Sequence, residues 1–186
     1  LLRDGARLVS VIGPPGVGKT SFALEYCARK GATWGAVRFA DLTGAGGIEA
    51  LCDAVGKSIE ARPPQGPTMP QAVDQIGRAL ASAAPTLLVL DNFEHLVAHA
   101  RATVGCWMLA APEVRFLVTS RERLQLPGEC VFDLEPLSLP RRGADVTASE
   151  AVRLFIDLAR AVRRSFRVRE RDKPTLAELV RRLDGL

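Results

Sequence analysis

The stretch that most limits what this chain can become is Gly13 to Thr20, GPPGVGKT, which meets the pattern G-x-x-x-x-G-K-[ST] at every fixed position. An apolar run, Ala6 to Ile12, precedes it, and helix-forming sequence follows from Lys19 to Lys30, where Gly31 is expected to stop the helix as a C-cap. A strand that turns through glycines into a helix makes an anion cradle. Glycine admits backbone conformations that a side chain would block, so successive N–H groups can converge on one point, and the helix directs the positive end of its dipole there. Such a loop belongs at the carboxyl end of a strand in an open α/β sheet. Gly13, Pro15, Gly16, Val17, Gly18, Lys19, Thr20 and Ser21 are therefore the candidate phosphate-contacting positions. In this arrangement Lys19 reaches the β- and γ-phosphates of a nucleotide, and the Thr20 hydroxyl is a ligand for Mg2+.

The rest of the chain alternates apolar runs with helical stretches, which predicts a parallel sheet covered on both faces. Strands are expected over Ala36 to Leu42, Thr86 to Asp91, Val114 to Ser120 and Cys130 to Leu134. Helices are expected over Ile48 to Ile59, Gln71 to Ala83 and about Glu94 to Ala110, with an irregular four-proline loop over Arg62 to Pro70. Past Pro136 the texture changes. A hinge is expected at Pro140 to Gly143, Ser149 as N-cap of an amphipathic helix from Glu150 to Arg164 lined by Ala151, Phe155, Leu158 and Val162, and a last helix from near Pro174. The fold class that follows is α/β, a P-loop three-layer sandwich with a mostly parallel five-stranded sheet over residues 1–140, and the start of a small helical subdomain over 141–186.

Leu87 to Asp91 is a short continuous apolar run ending in a carboxylate, as in a central strand buried on both faces. Beside a P-loop, Asp91 suits Mg2+, directly or through water, so Thr20 and Asp91 form the candidate metal pair. Glu94, three residues on, is a candidate general base for an attacking water, with Asn92 as a neighbour able to position it. Thr119, Ser120 and Arg121 end another strand on the same side, and Arg121 could sense or stabilise charge on the γ-phosphate. Asp91, Glu94 and Arg121 are thus the candidate catalytic set. His95 and His99 are four apart, but no third ligand accompanies them, which favours solvated or capping roles over a metal site.

Composition narrows the function classes. Aromatic residues make up only 5% of the chain, which argues against a base-stacking nucleic-acid surface, and no apolar run approaches the ~18–20 residues of a membrane span. Cys27, Cys52, Cys106 and Cys130 lie far apart without a CxxC, as expected of buried or half-buried free thiols in a reducing compartment. Residues 1–140 carry 13 basic against 14 acidic side chains and residues 141–186 carry 12 against 7, an asymmetry expected of a solvated or interdomain arginine face more than of direct nucleic-acid binding. The chain opens on Leu1 and stops at Leu186 within an apolar pattern, as expected of a piece of a longer protein.

Taken in order, GPPGVGKT, LLVLDNFEHL, VTSRERLQLPGE and ASEAVRLFIDLARAV resemble the nucleotide-binding domain of STAND-class P-loop ATPases, related to NB-ARC domains and nearest to bacterial regulators of the LuxR and SARP types. The resemblance runs from about Ala6 to Leu186. It implies binding of ATP or ADP with Mg2+, slow hydrolysis, and a switch in which ADP favours a closed state and ATP a self-associated one. It implies further that Arg121 contacts the γ-phosphate, that residues from about Ser149 cover the nucleotide, and that DNA is reached only through another domain of a cytoplasmic bacterial parent, with no membrane partner. An hhGRE-like segment before the first strand is missing, and Asp184-Gly185-Leu186 looks like the opening of a G-L-P-L-A-like motif, so adenine recognition is the least defined part of the site. A small-molecule kinase and a hydrolysis-deficient nucleotide-binding scaffold are the alternatives. A GTPase is disfavoured by the missing N-K-x-D.

Overall fold

The computed structural model describes residues 1–61, 68–83, 85–141 and 145–184. Most of the proline-rich loop, the glycine of the expected hinge and the Gly185-Leu186 pair lie outside the described residues. The chain divides into two compact units, Leu1–Leu134 and Glu135–Leu186.

The first unit is built on five strands: β1 Leu8–Ile12, β2 Ala36–Asp41, β3 Thr86–Asp91, β4 Arg115–Ser120 and β5 Glu129–Asp133. They pair in the order β2-β3-β4-β1-β5, every pair parallel. This is the α/β sheet expected from the alternation of apolar runs. β1 and β3 are buried along their whole length because helices cover both faces. Leu8, Leu88, Leu90, Phe116 and Val118 face one side, where α2 (Ile48–Ser58), α3 (Met69–Ser82) and the segment after β3 bury Leu51, Val55, Ile76, Leu80, Phe93 and Trp107. Val9, Val11, Leu87, Val89 and Leu117 face the other, against Ala23, Phe22 and Tyr26 of α1 (Lys19–Lys30). Because all strands are parallel, Ile12, Asp41, Asp91, Ser120 and Asp133 end at one edge of the sheet, and β4 places Ser120 on the rung beside Ile12.

Several local expectations are corrected. Gly31 is the C-cap of α1 as expected, but with right-handed helical angles (φ −56°, ψ −39°) that lead into a 3-10 turn to Thr33 rather than by the left-handed route. Its value is space: a Cβ there would lie 3.3 Å from Val37 Cγ2. Pro70 stands within the first turn of α3, where a missing N–H costs nothing, and the Gln71 side chain accepts from Thr68 N–H at 2.9 Å. The single helix expected over 94–110 is three pieces: a 3-10 helix Phe93–His99, a π turn Arg101–Gly105 and α4 Cys106–Ala110. Buried Phe93 and Leu96 sit three apart and suit the tighter winding. Gly105 N–H reaches back five residues to the Ala100 carbonyl (2.9 Å), and the Thr103 hydroxyl bonds the His99 carbonyl (2.8 Å), which opens the wider turn. Trp107 is then fully buried, its Nε1–H donating to the Val73 carbonyl at 2.9 Å.

The second unit pairs α5 (Glu150–Val162) with α6 (Lys173–Arg182). Ser149 precedes α5, yet its hydroxyl donates to the Val146 carbonyl, and the cap comes from Ser138, which accepts from Glu150 N–H (3.1 Å) and donates its own N–H to the Glu150 carboxylate (3.0 Å). The Ser138 N–H first, and then the Ser138 hydroxyl, hold the Glu150 carboxyl below its ordinary pKa. The buried stripe is Ala151, Val152 and Ile156 against Leu176 and Val180; Leu158 and Val162, on the expected apolar face, are exposed because the packing reaches only the first two turns.

Candidate functional site

The loop between β1 and α1 shows why its glycines are where they are. Gly16 (φ 83°) and Gly18 (φ 98°) take left-handed conformations that suit only glycine at low cost. Gly13 is needed for a different reason: a Cβ there would fall 2.7 Å from the carbonyl oxygen of Leu134, which follows β5, and 3.0 Å from Val17 Cγ1. Gly18 precedes the first turn of α1 and offers no side-chain cap, so the helix's first N–H groups are left for a ligand. Lys19 is 8% exposed, and its ammonium donates to the Gly13 (2.9 Å) and Pro14 (3.0 Å) carbonyls, folded back into the cradle. Burial pulls the Lys19 pKa below its ordinary value, Glu94 opposes that, Arg121 adds to it and Asp91 opposes it.

Asp91 ends β3 and is 2% exposed, so its carboxylate depends on donors. The Thr20 hydroxyl supplies one, 3.0 Å from Oδ1 and 2.9 Å from Oδ2 across 71 positions of sequence. The buried Thr119 hydroxyl donates to Oδ1, and the Asn92 amide to Oδ2 at 3.3 Å. Asn92 takes left-handed angles (φ 62°, ψ 48°), and its backbone N–H donates to Thr119 Oγ1 at 2.9 Å. A hydroxyl and a carboxylate this close form the hard-oxygen pair that Mg2+ takes, so the residues fit that ion.

Glu94 lies in the first turn of the 3-10 helix rather than of an α-helix. Its Oε1 accepts from Arg121 Nε at 3.1 Å, while Oε2 is buried without a hydrogen-bond partner among the described residues. Arg121 is 58% exposed and Glu94 21%. The structure thus brings Lys19, Thr20, Asp91, Glu94 and Arg121 to one edge of the sheet, with the last two joined to each other. Asn92 commits its amide to protein partners, so it is tied to its neighbours rather than facing out toward a water. His95 is exposed and His99 half-buried on the 3-10 stretch, and no group of three or more metal-ligating side chains occurs among the described residues.

Two contributors, Asp41 and Thr43, are not among the residues singled out by sequence. Asp41 ends β2 on the rung of Asp91, and its Oδ1 accepts from the N–H (3.0 Å) and hydroxyl (2.6 Å) of Thr43; these bonds, the hydroxyl's first, hold its carboxyl below the ordinary aspartate range. The signal that marks Asp91, a carboxylate closing an apolar strand, is present at Asp41 too and could have found it.

A family model described as an AAA domain matches residues 2–123. An uncharacterized protein of Mycobacterium tuberculosis is 32% identical over all 186 residues, which correspond to 44% of its length. An HTH-type transcriptional regulator of the same organism is 32% identical over 182 residues, 97% of this chain and 19% of the regulator. The chain therefore spans less than half the length of these curated relatives. Among solved structures, a STAND protein with a tetratricopeptide-repeat sensor from Pyrococcus horikoshii shares the fold with a TM-score of 0.57 at 16% identity, over 99% of this chain and 26% of its own. With the P-loop, the parallel sheet and the family model in agreement over 2–123, the chain belongs to the AAA-domain family of P-loop ATPases.

Proposed function

We propose that this domain binds ATP or ADP with Mg2+ and works as a nucleotide-dependent switch, with slow hydrolysis, inside a longer bacterial regulator of transcription. The observation that carries the reading is the meeting of the Thr20 hydroxyl with the Asp91 carboxylate at 2.9–3.0 Å beside the buried Lys19 ammonium. Thr20 and Asp91 would hold Mg2+, which when bound neutralises charge on the β- and γ-phosphate oxygens. Lys19 leaves the Gly13 and Pro14 carbonyls for the phosphates, a stronger partner for a desolvated ammonium. Glu94 is the group that takes a proton from the attacking water; its Oε2 has no hydrogen-bond partner among the described residues but is buried, so the side chain turns toward that water as Arg121 leaves it. Arg121 exchanges Glu94 for the γ-phosphate. Its ion pair is half-exposed and worth at most ~1 kcal/mol, so little opposes the exchange.

The regulatory part of the reading is supported by the HTH-type relative and by the likeness to a STAND protein. In this reading residues 1–140 form the nucleotide-binding domain and 141–186 the opening of a helical lid subdomain. ATP favours self-association, and DNA is engaged only through another domain of the parent. A cytoplasmic address and the absence of a membrane partner belong to the same proposal; no helix among the described residues is long and apolar enough to cross a membrane.

Phosphate release from ATP by the purified full-length parent tests the reading. Slow release without any acceptor is expected, with Glu94→Gln sparing nucleotide binding and slowing hydrolysis about 10²–10⁴-fold. Release that requires an added small-molecule acceptor would point to a kinase instead.

A further inference from the structure

The carboxyl edge of the sheet holds a second ionisable group that the proposed chemistry leaves unused. Asp41 and Asp91 end adjacent parallel strands on one rung. Strand spacing of ~4.8 Å would leave two carboxylates repelling each other unless donors lay between them. Asn92 is that donor. Its Nδ2 lies 2.9 Å from Thr43 Oγ1, 3.4 Å from Asp41 Oδ1 and 3.3 Å from Asp91 Oδ2.

The direction of each bond is dictated by chemistry. A carboxylate accepts only, and the Thr43 hydroxyl proton is committed to Asp41 Oδ1 at 2.6 Å, so Thr43 Oγ1 is left to accept. Every group facing this end of Asn92 is then an acceptor, and the amide must present its NH2 rather than its oxygen. Its backbone N–H meanwhile bonds Thr119 Oγ1, whose own proton goes to Asp91 Oδ1. Asn92 therefore grips both oxygens of Asp91, one directly and one through Thr119, and Asp41 with Thr43 determines which face of the amide does so.

We propose that Asp41, Thr43 and Asn92 are positioning residues that orient the Asp91 carboxylate for Mg2+. They act through Asp91 and do not touch the ion. The inference rests on the reading of Asp91 as a Mg2+ ligand. Hydrogen-bonded partners behind a metal ligand commonly change metal affinity about 10–100-fold when removed. Asp41 and Thr43 are both exposed, so replacing them removes bonds rather than core packing.

The test titrates MgCl2 into the full chain with a fixed concentration of fluorescent ATP analogue and reads the Mg2+ midpoint of nucleotide binding, with a parallel binding curve in EDTA. Thr43→Val is expected to raise the Mg2+ midpoint about tenfold and leave the EDTA curve in place, Thr43→Ser to restore the midpoint, and Asp41→Ala to shift it in the same direction as Thr43→Val. Asp91→Asn is the control. If Asp91→Asn abolishes the Mg2+ dependence while Thr43→Val and Asp41→Ala leave the midpoint at the wild-type value, or move the EDTA curve equally, the positioning role is overturned and the metal reading stands. If Asp91→Asn leaves the Mg2+ dependence unchanged, the metal reading fails and the positioning role with it.

Discussion

At the scale of single residues, the ion pair between Glu94 and Arg121 is the contact that the proposed switch would exchange to tell ATP from ADP. Arg121 spends its guanidinium on Glu94. Contact with a γ-phosphate would give a charge-assisted bond available with ATP and missing with ADP, and a ligand biases a two-state equilibrium only by such a difference. Arg121→Ala is expected to weaken ATP binding by about 1.5–3 kcal/mol, reduced by whatever the ion pair with Glu94 had cost to break, and to leave ADP nearly unchanged. Calorimetric titration with both nucleotides checks this, and equal losses would show that Arg121 does not sense the γ-phosphate. Much of the site is legible in the sequence, because the P-loop and the strand-ending Asp91 declare themselves through spacing and an apolar run. The partner of Arg121 is not. Local sequence offers Glu122 or Glu129, but Glu129 instead accepts from the Leu124 and Gln125 N–H groups, and the pairing with Glu94 arises only because β3 and β4 lie side by side.

Among the elements, strands are more legible than helices. An apolar run buried on both faces is short and has a turn at each end, so β1, β3 and β4 match their expected bounds within a residue or two. The segment after β3 does not, because an apolar pattern of mixed three- and four-residue spacing reads as one α-helix, while the three-residue spacing of Phe93 and Leu96 suits a 3-10 start, and the Thr103 hydroxyl bond with the Gly105 N–H bond to the Ala100 carbonyl accompanies the π turn that follows. α5 misleads in another way. Its stripe of apolar residues continues to Val162, but burial ends where the small second core ends. Trp107 is where the broken helix is anchored, fully buried against α3 with its indole N–H on the Val73 carbonyl. Trp107→Ala should destabilise the chain by about 3–5 kcal/mol through the cavity it leaves. Trp107→Phe should cost about 0.5–1.5 kcal/mol for the lost indole hydrogen bond, since the Val73 carbonyl keeps its backbone partner within α3, plus a smaller cavity term. Urea-unfolding midpoints of the two variants measure both, and a Trp107→Ala midpoint equal to wild type would show that α4 is not held there.

For the whole molecule, the parallel sheet order is what turns a set of distant residues into one site. Placing β4 between β1 and β3 brings Gly13, Asn92 and Arg121 out of neighbouring strand ends, and β5 closes on the other side so that the Leu134 carbonyl presses on Gly13. The sheet can be read from the alternation of strands and helices; the strand order cannot, since it depends on which crossovers pack, and no local signal encodes it. In the proposed function the charge that Lys19 sends into the cradle is what holds the phosphates, so its removal is the sharpest perturbation of the site. Isothermal titration of Mg-ATP and Mg-ADP into the wild-type chain and into Lys19→Ala, with circular dichroism to establish that the variant is folded, tests the claim most directly. With Lys19 supplying that charge, one nucleotide is expected to bind the wild type and the folded variant to lose at least about tenfold in affinity, as when a charged hydrogen-bonding partner is removed. Equal affinities in a folded Lys19→Ala protein would contradict it.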